Sequence, residues 1–121
     1  MNSDAIRLVG GSAFAGRVEI FVDGTWGTVC DDSWDINDAT VACNELGYPG
    51  GAVAAYNEAY YGPGSGSILL DNVECRGDEN RLIDCTHIGL GTHNCDHSED
   101  AGVMCRNPGK VNYVKCTLFL S

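Results

Sequence analysis

The chain has 121 residues, with 17 acidic against 7 basic side chains, 16 glycines and 7 cysteines. That length suits one domain able to bury about two-thirds of its extended-chain surface, and a net charge of −10 excludes the basic footprint that direct nucleic-acid binding requires. No run approaches the roughly 20 apolar residues of a membrane-spanning helix, and 44% apolar content excludes a disordered chain.

Met1-Asn2-Ser3-Asp4 is polar and acidic and carries no signal-peptide pattern, so Met1 is expected to be an added start or to follow a removed leader. Ile6 to Val9 reads as a short strand. Arg17 to Val22 alternates, with Val18, Ile20 and Val22 on one face. Asp23-Gly24 is a type I′ turn signal, and Thr25 to Cys30 returns as the second arm of a hairpin. A helix of about ten residues follows: Asp35 or Asn37 caps it, Asp38 suits its positive end, and Gly47 stops it. Its buried face is expected at Val41, Ala42 and Leu46. Pro49 to Gly66, rich in Gly, Ala and Tyr, reads as a long irregular excursion. Ser67 to Cys75 looks like a strand, and Gly77 to Asn80 opens a short second helix through Asp84. Thr86 to Asp100 is polar, loop-like and holds all three histidines. Gly102 to Cys105 is a last core strand, and a tail with an apolar Val111 to Leu120 segment ends the chain.

The cysteines are Cys30, Cys43, Cys75, Cys85, Cys95, Cys105 and Cys116, and no two form a Cys-x-x-Cys pair, which removes the usual zinc-ribbon and thioredoxin readings. Dispersed cysteines at this density point to disulfides and an oxidising, extracellular setting. The odd count leaves one over, and Cys116, beyond the apparent domain end, is expected to be a free or intermolecular thiol. Spacing alone leaves the pairing of the other six open.

The ordered strings Gly16-Arg17-Val18-Glu19, Trp26-Gly27-Thr28-Val29-Cys30-Asp31-Asp32-Ser33-Trp34-Asp35 and Leu46-Gly47-Tyr48 resemble a scavenger receptor cysteine-rich domain. So do Leu70-Asp71-Asn72-Val73-x-Cys75-x-Gly77-x-Glu79 and His93-Asn94-Cys95-x-His97-x-Glu99-Asp100-Ala101-Gly102-Val103-x-Cys105. Six cysteines in that span resemble the family's group A. The resemblance implies a compact α+β fold, a curved antiparallel sheet cradling one main helix, with three disulfides: Cys30 to Cys95, Cys43 to Cys105 and Cys75 to Cys85. By loop closure the longest bridge is worth roughly 4 kcal/mol and the short one about 3. Trp26 and Trp34 are expected to pack inside. On this reading residues 1–5 are an extension, 6–106 the domain and 107–121 a tail.

Asp31, Asp32, Asp35 and Asp38 crowd carboxylates beside one cysteine, and Glu99-Asp100 lies near another. Clustered carboxylates either spread into solvent or collect a cation, and Ca²⁺ suits them as a hard ion taking six to eight oxygens. No EF-hand spacing is present. The resemblance implies a first metal site at Asp31, Asp32 and Glu99, and a second at Asp71 and Asn94 with Asn72 as a helper. Ca²⁺ is the expected ion and Mg²⁺ the lesser alternative. Asp35 and Asp38 read as helix-cap residues. A partly coordinated ion would let an acidic protein hold sulfate, phosphate or carboxylate groups.

Enzymatic readings fare poorly. His93, Cys95 and His97 would need a reduced cysteine to hold zinc, and the histidines read as solvated loop residues. Ser65 and Ser67 sit in no nucleophile motif, no phosphate loop exists, and no Asn-x-Ser/Thr sequon occurs. The expected function is a non-enzymatic, secreted or ectodomain module of the pattern-recognition type, binding polyanionic or microbial-surface ligands through Ca²⁺. The arginines, Arg7, Arg17, Arg76, Arg81 and Arg106, are widely spread in sequence and argue against metal-free polyanion binding. The alternatives are a metal-independent module for a cell-surface protein, or an accessory module of a multidomain protease or oxidase.

Overall fold

The computed structural model describes residues 5–107. Cys116 and the apolar Val111 to Leu120 segment that contains it lie outside them. The chain forms β1 (Ala5–Ser12), β2 (Ala15–Val22), β3 (Thr25–Val29), α1 (Ile36–Glu45), β4 (Ala52–Tyr56), β5 (Ser67–Leu70) and β6 (Gly102–Cys105), with 3-10 turns at Leu82–Asp84 and His97–Glu99. The strand order is β4-β6-β2-β3-β5, and β1 lies along the other edge of β2.

β2 organises the sheet because its inner edge is shared. Residues 15–17 pair with β6 and residues 19–22 pair with β3. Two strands on one edge oblige the sheet to curl, and the hollow face takes the helix. Asp23 and Gly24 at the β2–β3 turn both have positive φ, 53° and 83°, the pairing a type I′ hairpin needs. All strand pairs are antiparallel except β3 with β5. Gly27 permits that parallel approach: a Cβ there would come within 2.6 Å of the Leu69 side chain.

Val18, Ile20 and Val22 alternate inward as their spacing predicts, and meet Ala39, Val41, Ala42 and Cys43 of α1 with Leu70, Val73, Leu82 and Val103. Each large aliphatic side chain so buried contributes roughly 1.5–3 kcal/mol. Asp35 is the helix cap, accepting from the Asn37 and Asp38 amides, and Leu46 ends half-buried at the stop. Trp34 is buried, its indole N–H donating to the Gly102 carbonyl at 3.1 Å. Trp26 differs from expectation: it is half-buried outside the core, beneath the Arg7 guanidinium at 3.9 Å and tilted against Phe21.

Three other segments depart from the sequence reading. The supposed excursion after Pro49 contains β4, an Ala-rich strand with little alternation that exists because β6 offers it a partner and α1 covers it. The strand from Ser67 stops at Leu70, since Asn72 turns left-handed with φ 54° and only Glu74 regains a bridge, to Thr86. The second helix shrinks to the 3-10 turn at Leu82–Asp84. The Glu79 carboxylate accepts from the Arg76 and Gly77 amides and winds the preceding residues into a loop instead. Disulfides join Cys30 to Cys95, Cys43 to Cys105 and Cys75 to Cys85.

Candidate functional site

Three segments converge at one end of the sheet. β3 continues through Cys30 into Asp31 and Asp32, β5 runs out into Asp71 and Asn72, and the 3-10 turn at His97–Glu99 crosses beside them. Backbone bonds tie them: Cys30 N–H to Leu70 O at 2.8 Å, Asp31 N–H to Glu99 O at 2.9 Å and Ala101 N–H to Val29 O at 2.8 Å. The Cys30–Cys95 disulfide, with 6.3 Å between Cα atoms, fixes the loop carrying Asn94 to the same place.

One carboxylate oxygen from each of Asp31, Asp32 and Glu99 falls within a 4.8 Å cluster, and one from each of Asp32 and Asp71 falls within a second. Asp32 is therefore shared. The two expected sites are adjacent halves of one acidic edge. Oxidised Cys30 and Cys95 offer no thiolate to either cluster, so the available donors are oxygens. Asp32 Oδ2 and Asn94 Oδ1 lie 3.6 Å and 3.5 Å from the Cys95 Sγ, which places the exposed Asn94 amide on the rim beside Asp32.

Backbone amides hold several of these groups in place. Asp31 Oδ2 accepts from the Glu58 amide at 2.7 Å. Glu99 Oε1 accepts from the Asp96 amide at 3.0 Å, within a capping box of the turn it belongs to. Asp71 Oδ1 accepts from the Asn72 amide at 2.8 Å, so Asn72 positions Asp71 through its main chain. Asp71 is fully buried, yet its Oδ2 has no hydrogen-bond partner, alone in that condition among the buried side-chain polar atoms of the described residues. Asp32 has its carboxyl pushed above the ordinary value, first by burial, then by the Asp71 charge and by a hydrogen bond between the two carboxyl groups that forms only when one of them holds a proton. With both ionised, two anions face each other and one oxygen is left without a donor.

That arrangement fits a divalent ion. The donors are hard oxygens, the repulsion is relieved by positive charge, and the orphaned oxygen gains a partner. Neither half supplies six protein oxygens, so an ion there would need water or a ligand to complete its coordination.

Other acidic groups are already satisfied. Asp38 accepts from the Asp35 and Cys75 amides at 2.8 and 2.7 Å, and burial pushes it up to about 6 despite those two bonds. Glu79 lies near Cys75 and Cys85, but those sulfurs are oxidised and its carboxylate is held low by the Arg76 amide and, further down, by the Gly77 amide. His97 is not the solvated loop residue its sequence context suggests. Its Nδ1 meets the buried Asp100 carboxylate at 2.9 Å and its Nε2 meets the Gly66 carbonyl at 3.0 Å. Burial alone would lower its pKa; the Gly66 carbonyl and Asp100 outweigh that and raise it. His87 and His93 each accept from an amide two residues on.

A second charged feature lies on the sheet. Arg7 and Arg17, ten residues apart in sequence, meet at the buried Glu19: Arg7 Nη2 at 2.6 Å and Arg17 Nε at 2.9 Å. With Trp26 and the Gly64–Gly66 segment they line a cleft of about 470 Å³.

The scavenger receptor cysteine-rich domain matches residues 8–106. The chain belongs to that family. It is similar to the third SRCR domain of murine neurotrypsin, with 53% identity, 85% of this chain and 96% of that one covered, and a TM-score of 0.78. It is also similar to the SRCR domain of mouse MARCO in a dimeric form, with 48% identity, coverage of 88% and 91%, and a TM-score of 0.70. CD5 domain III, at 22% identity, 88% and 100% coverage and a TM-score of 0.53, shares the fold. SRCR domains are ligand-binding and protein-interaction modules of secreted or membrane receptors. Three disulfides fit that extracellular setting. Among the described residues no helix is long and apolar enough to cross a membrane. Of the residues the motifs single out, Asp31, Asp32 and Glu99 come together in one cluster, Asp71 lies beside Asp32, and Asn94 stands at the rim by Cys95. The Glu58 amide was missed, because a main-chain donor from an Ala/Tyr-rich loop leaves no mark in the sequence.

Proposed function

We propose that this SRCR domain, group A-like in its six paired cysteines and spanning residues 6–106 between short extensions, is a non-enzymatic ligand-binding module that works through Ca²⁺. Asp31, Asp32 and Glu99 hold one ion; Asp71 and Asn94, with Asn72 beside them, hold a second. The open positions on these ions take sulfate, phosphate or carboxylate oxygens of polyanionic or microbial-surface ligands, as a secreted or ectodomain receptor of innate immunity would. Ca²⁺ is favoured over Mg²⁺ because the donors spread over three separate segments, a looser frame than octahedral Mg²⁺ accepts.

The single observation carrying this reading is the buried Asp71 carboxylate beside Asp32, with its Oδ2 unpartnered. The test is capture of dextran sulfate beads by wild type and by the Asp32→Asn, Glu99→Gln double variant. Wild type is expected to bind with Ca²⁺ and release in EDTA. The double variant is expected to fold, since the introduced glutamine keeps an oxygen that accepts from the Asp96 amide, and to lose capture. Full EDTA-sensitive capture by the double variant would contradict the site.

The Arg7–Trp26 cleft supports a second, metal-independent reading as a protein-interaction module. Two guanidiniums there share one carboxylate, leaving a local positive excess on an acidic chain. An acidic partner side chain binding there would be insensitive to EDTA and lost in Arg7→Ala.

A further inference from the structure

The described residues include an aromatic cluster that the core does not use. Tyr56, at the end of β4, stacks on Tyr60 with ring centroids 4.2 Å apart and planes 8° from parallel. Tyr61 meets both rings edge-on, at 5.4 and 4.9 Å. None of the three belongs to the buried core cluster or the residues packed on it, and Tyr60 is 63% exposed. The stack nevertheless has a rigid seat. Tyr61 lies against the glycine backbones of β1 and β6, where a Cβ at Gly102 would come within 2.8 Å of its ring. Burial, then the neighbouring phenols Tyr56 and Tyr60, raise its pKa.

The stack is also tied to the acidic edge. Between its two rings the chain turns through Glu58 and Ala59, both left-handed at φ 58° and 51°. There the Glu58 amide donates to Asp31 Oδ2, and the Ala59 amide donates to the Asp100 carbonyl at 3.0 Å. Tyr60 is two residues from that anchored amide, so its Cα lies within about 7 Å of the Glu58 Cα. The exposed Tyr60 thus sits on the segment whose main chain is bonded to Asp31, and Asp31, Asp32 and Glu99 have no ion-pair partner among the described residues.

We propose that the Tyr56–Tyr60 stack is a second contact of the same binding site, taking the apolar face of a pyranose ring from an acidic saccharide whose oxygens bind the neighbouring ion. This rests on the metal-bridged reading and names its ligand class. A sugar ring carries an apolar C–H face and several oxygens in one rigid unit, which matches a ring face and an ion fixed side by side. Nucleic acid fits less well, because the chain carries a net charge of −10 and the nearby Arg17 guanidinium is already engaged by Glu19 and the Gly62 carbonyl. A basic peptide would suit bare carboxylates and an aromatic face, but not an edge already neutralised by Ca²⁺.

The experiment compares wild type, Tyr60→Ala and Tyr60→Phe by calorimetry, with sulfated dextran oligosaccharide in Ca²⁺, with the same oligosaccharide in EDTA, and with an oligo-arginine peptide in EDTA. Tyr60→Ala is expected to bind Ca²⁺ as wild type does, and to lose about five- to tenfold in affinity for the oligosaccharide, the scale of one aromatic contact. Tyr60→Phe, which keeps the ring, should retain the affinity. Equal Ca²⁺-dependent oligosaccharide affinity in wild type and Tyr60→Ala would overturn the ring contact while leaving the metal reading intact. Tyr60-dependent binding that persists in EDTA would support the ring contact and sink the metal bridge. A Tyr60 effect on the peptide alone would overturn the saccharide in favour of a basic partner.

Discussion

Glu19 and Asp71 are both carboxylates taken out of water, at 6% and 0% exposure, and the molecule treats them in opposite ways. Glu19 receives three guanidinium hydrogen bonds, from Arg7 and Arg17. Asp71 receives one backbone amide, faces a second carboxylate, and keeps one oxygen without a donor. Charge burial costs several kcal/mol per ion unless it is compensated. The first region is therefore complete within the chain, whereas the second keeps an unmet acceptor that the proposed cation would satisfy.

The comparison can be broken from either side. The largest effect is expected at the finished region: Glu19→Ala leaves Arg17, whose side chain is only 12% exposed, with the Gly62 carbonyl but without its counter-charge, and should cost about 3 kcal/mol in urea unfolding. A loss near zero would mean that Arg17 finds water or another acceptor, and the contrast with Asp71 would lose its meaning.

Asp38 sharpens the contrast as a buried carboxylate compensated only by amides. Burial holds its pKa at about 6, against near 3.8 for an unfolded aspartate, so the folded state binds more protons between those values. Its contribution is full below about pH 4 and is lost as pH rises through 6, opposite to the usual acid-denaturation slope. Relative to Asp38→Asn, wild type should lose roughly 1–3 kcal/mol between pH 4 and pH 7, read by denaturant titration at each pH. A gap that stays constant would place Asp38 in an ordinary titration.

A smaller effect is expected at the unfinished region. In EDTA, Asp71→Asn removes a like charge and offers Asp32 an amide donor. Stability should stay level or rise by about 1 kcal/mol, and the Asp32 titration followed by NMR should move down. A marked loss of stability would show that Asp71 is compensated within the chain after all.

Much of this was legible from residues, for reasons that differ by element. The β2–β3 hairpin and α1 carry their own signals, a two-residue turn and a cap with a glycine stop, and both appear where their patterns put them. β4 was hidden because Ala52–Tyr56, with three alanines in five residues, has only a weak strand preference and depends on β6, about fifty residues away in sequence. The acidic edge was readable as a motif, but Asp32's place between its two halves follows from three segments meeting, which spacing along one chain does not encode. The meeting of Arg7 and Arg17 has the same origin. Ten residues separate them, yet the β1–β2 register sets Arg7 opposite Glu19 and Val9 opposite Arg17. The placement of Tyr60 and of the Glu58 amide gave no signal, since it comes from a left-handed turn between two tyrosines.

The most direct test is a Ca²⁺ titration of thermal melting on wild type and Asp71→Asn. Stabilisation by a bound ion grows with the logarithm of its concentration above the dissociation constant, about 2.7 kcal/mol at a hundredfold excess. The account predicts that wild-type melting climbs with millimolar Ca²⁺ and reverts in EDTA, while Asp71→Asn melts no lower than wild type without the ion and gains much less from it. Superimposable melting of wild type with and without Ca²⁺ would contradict it.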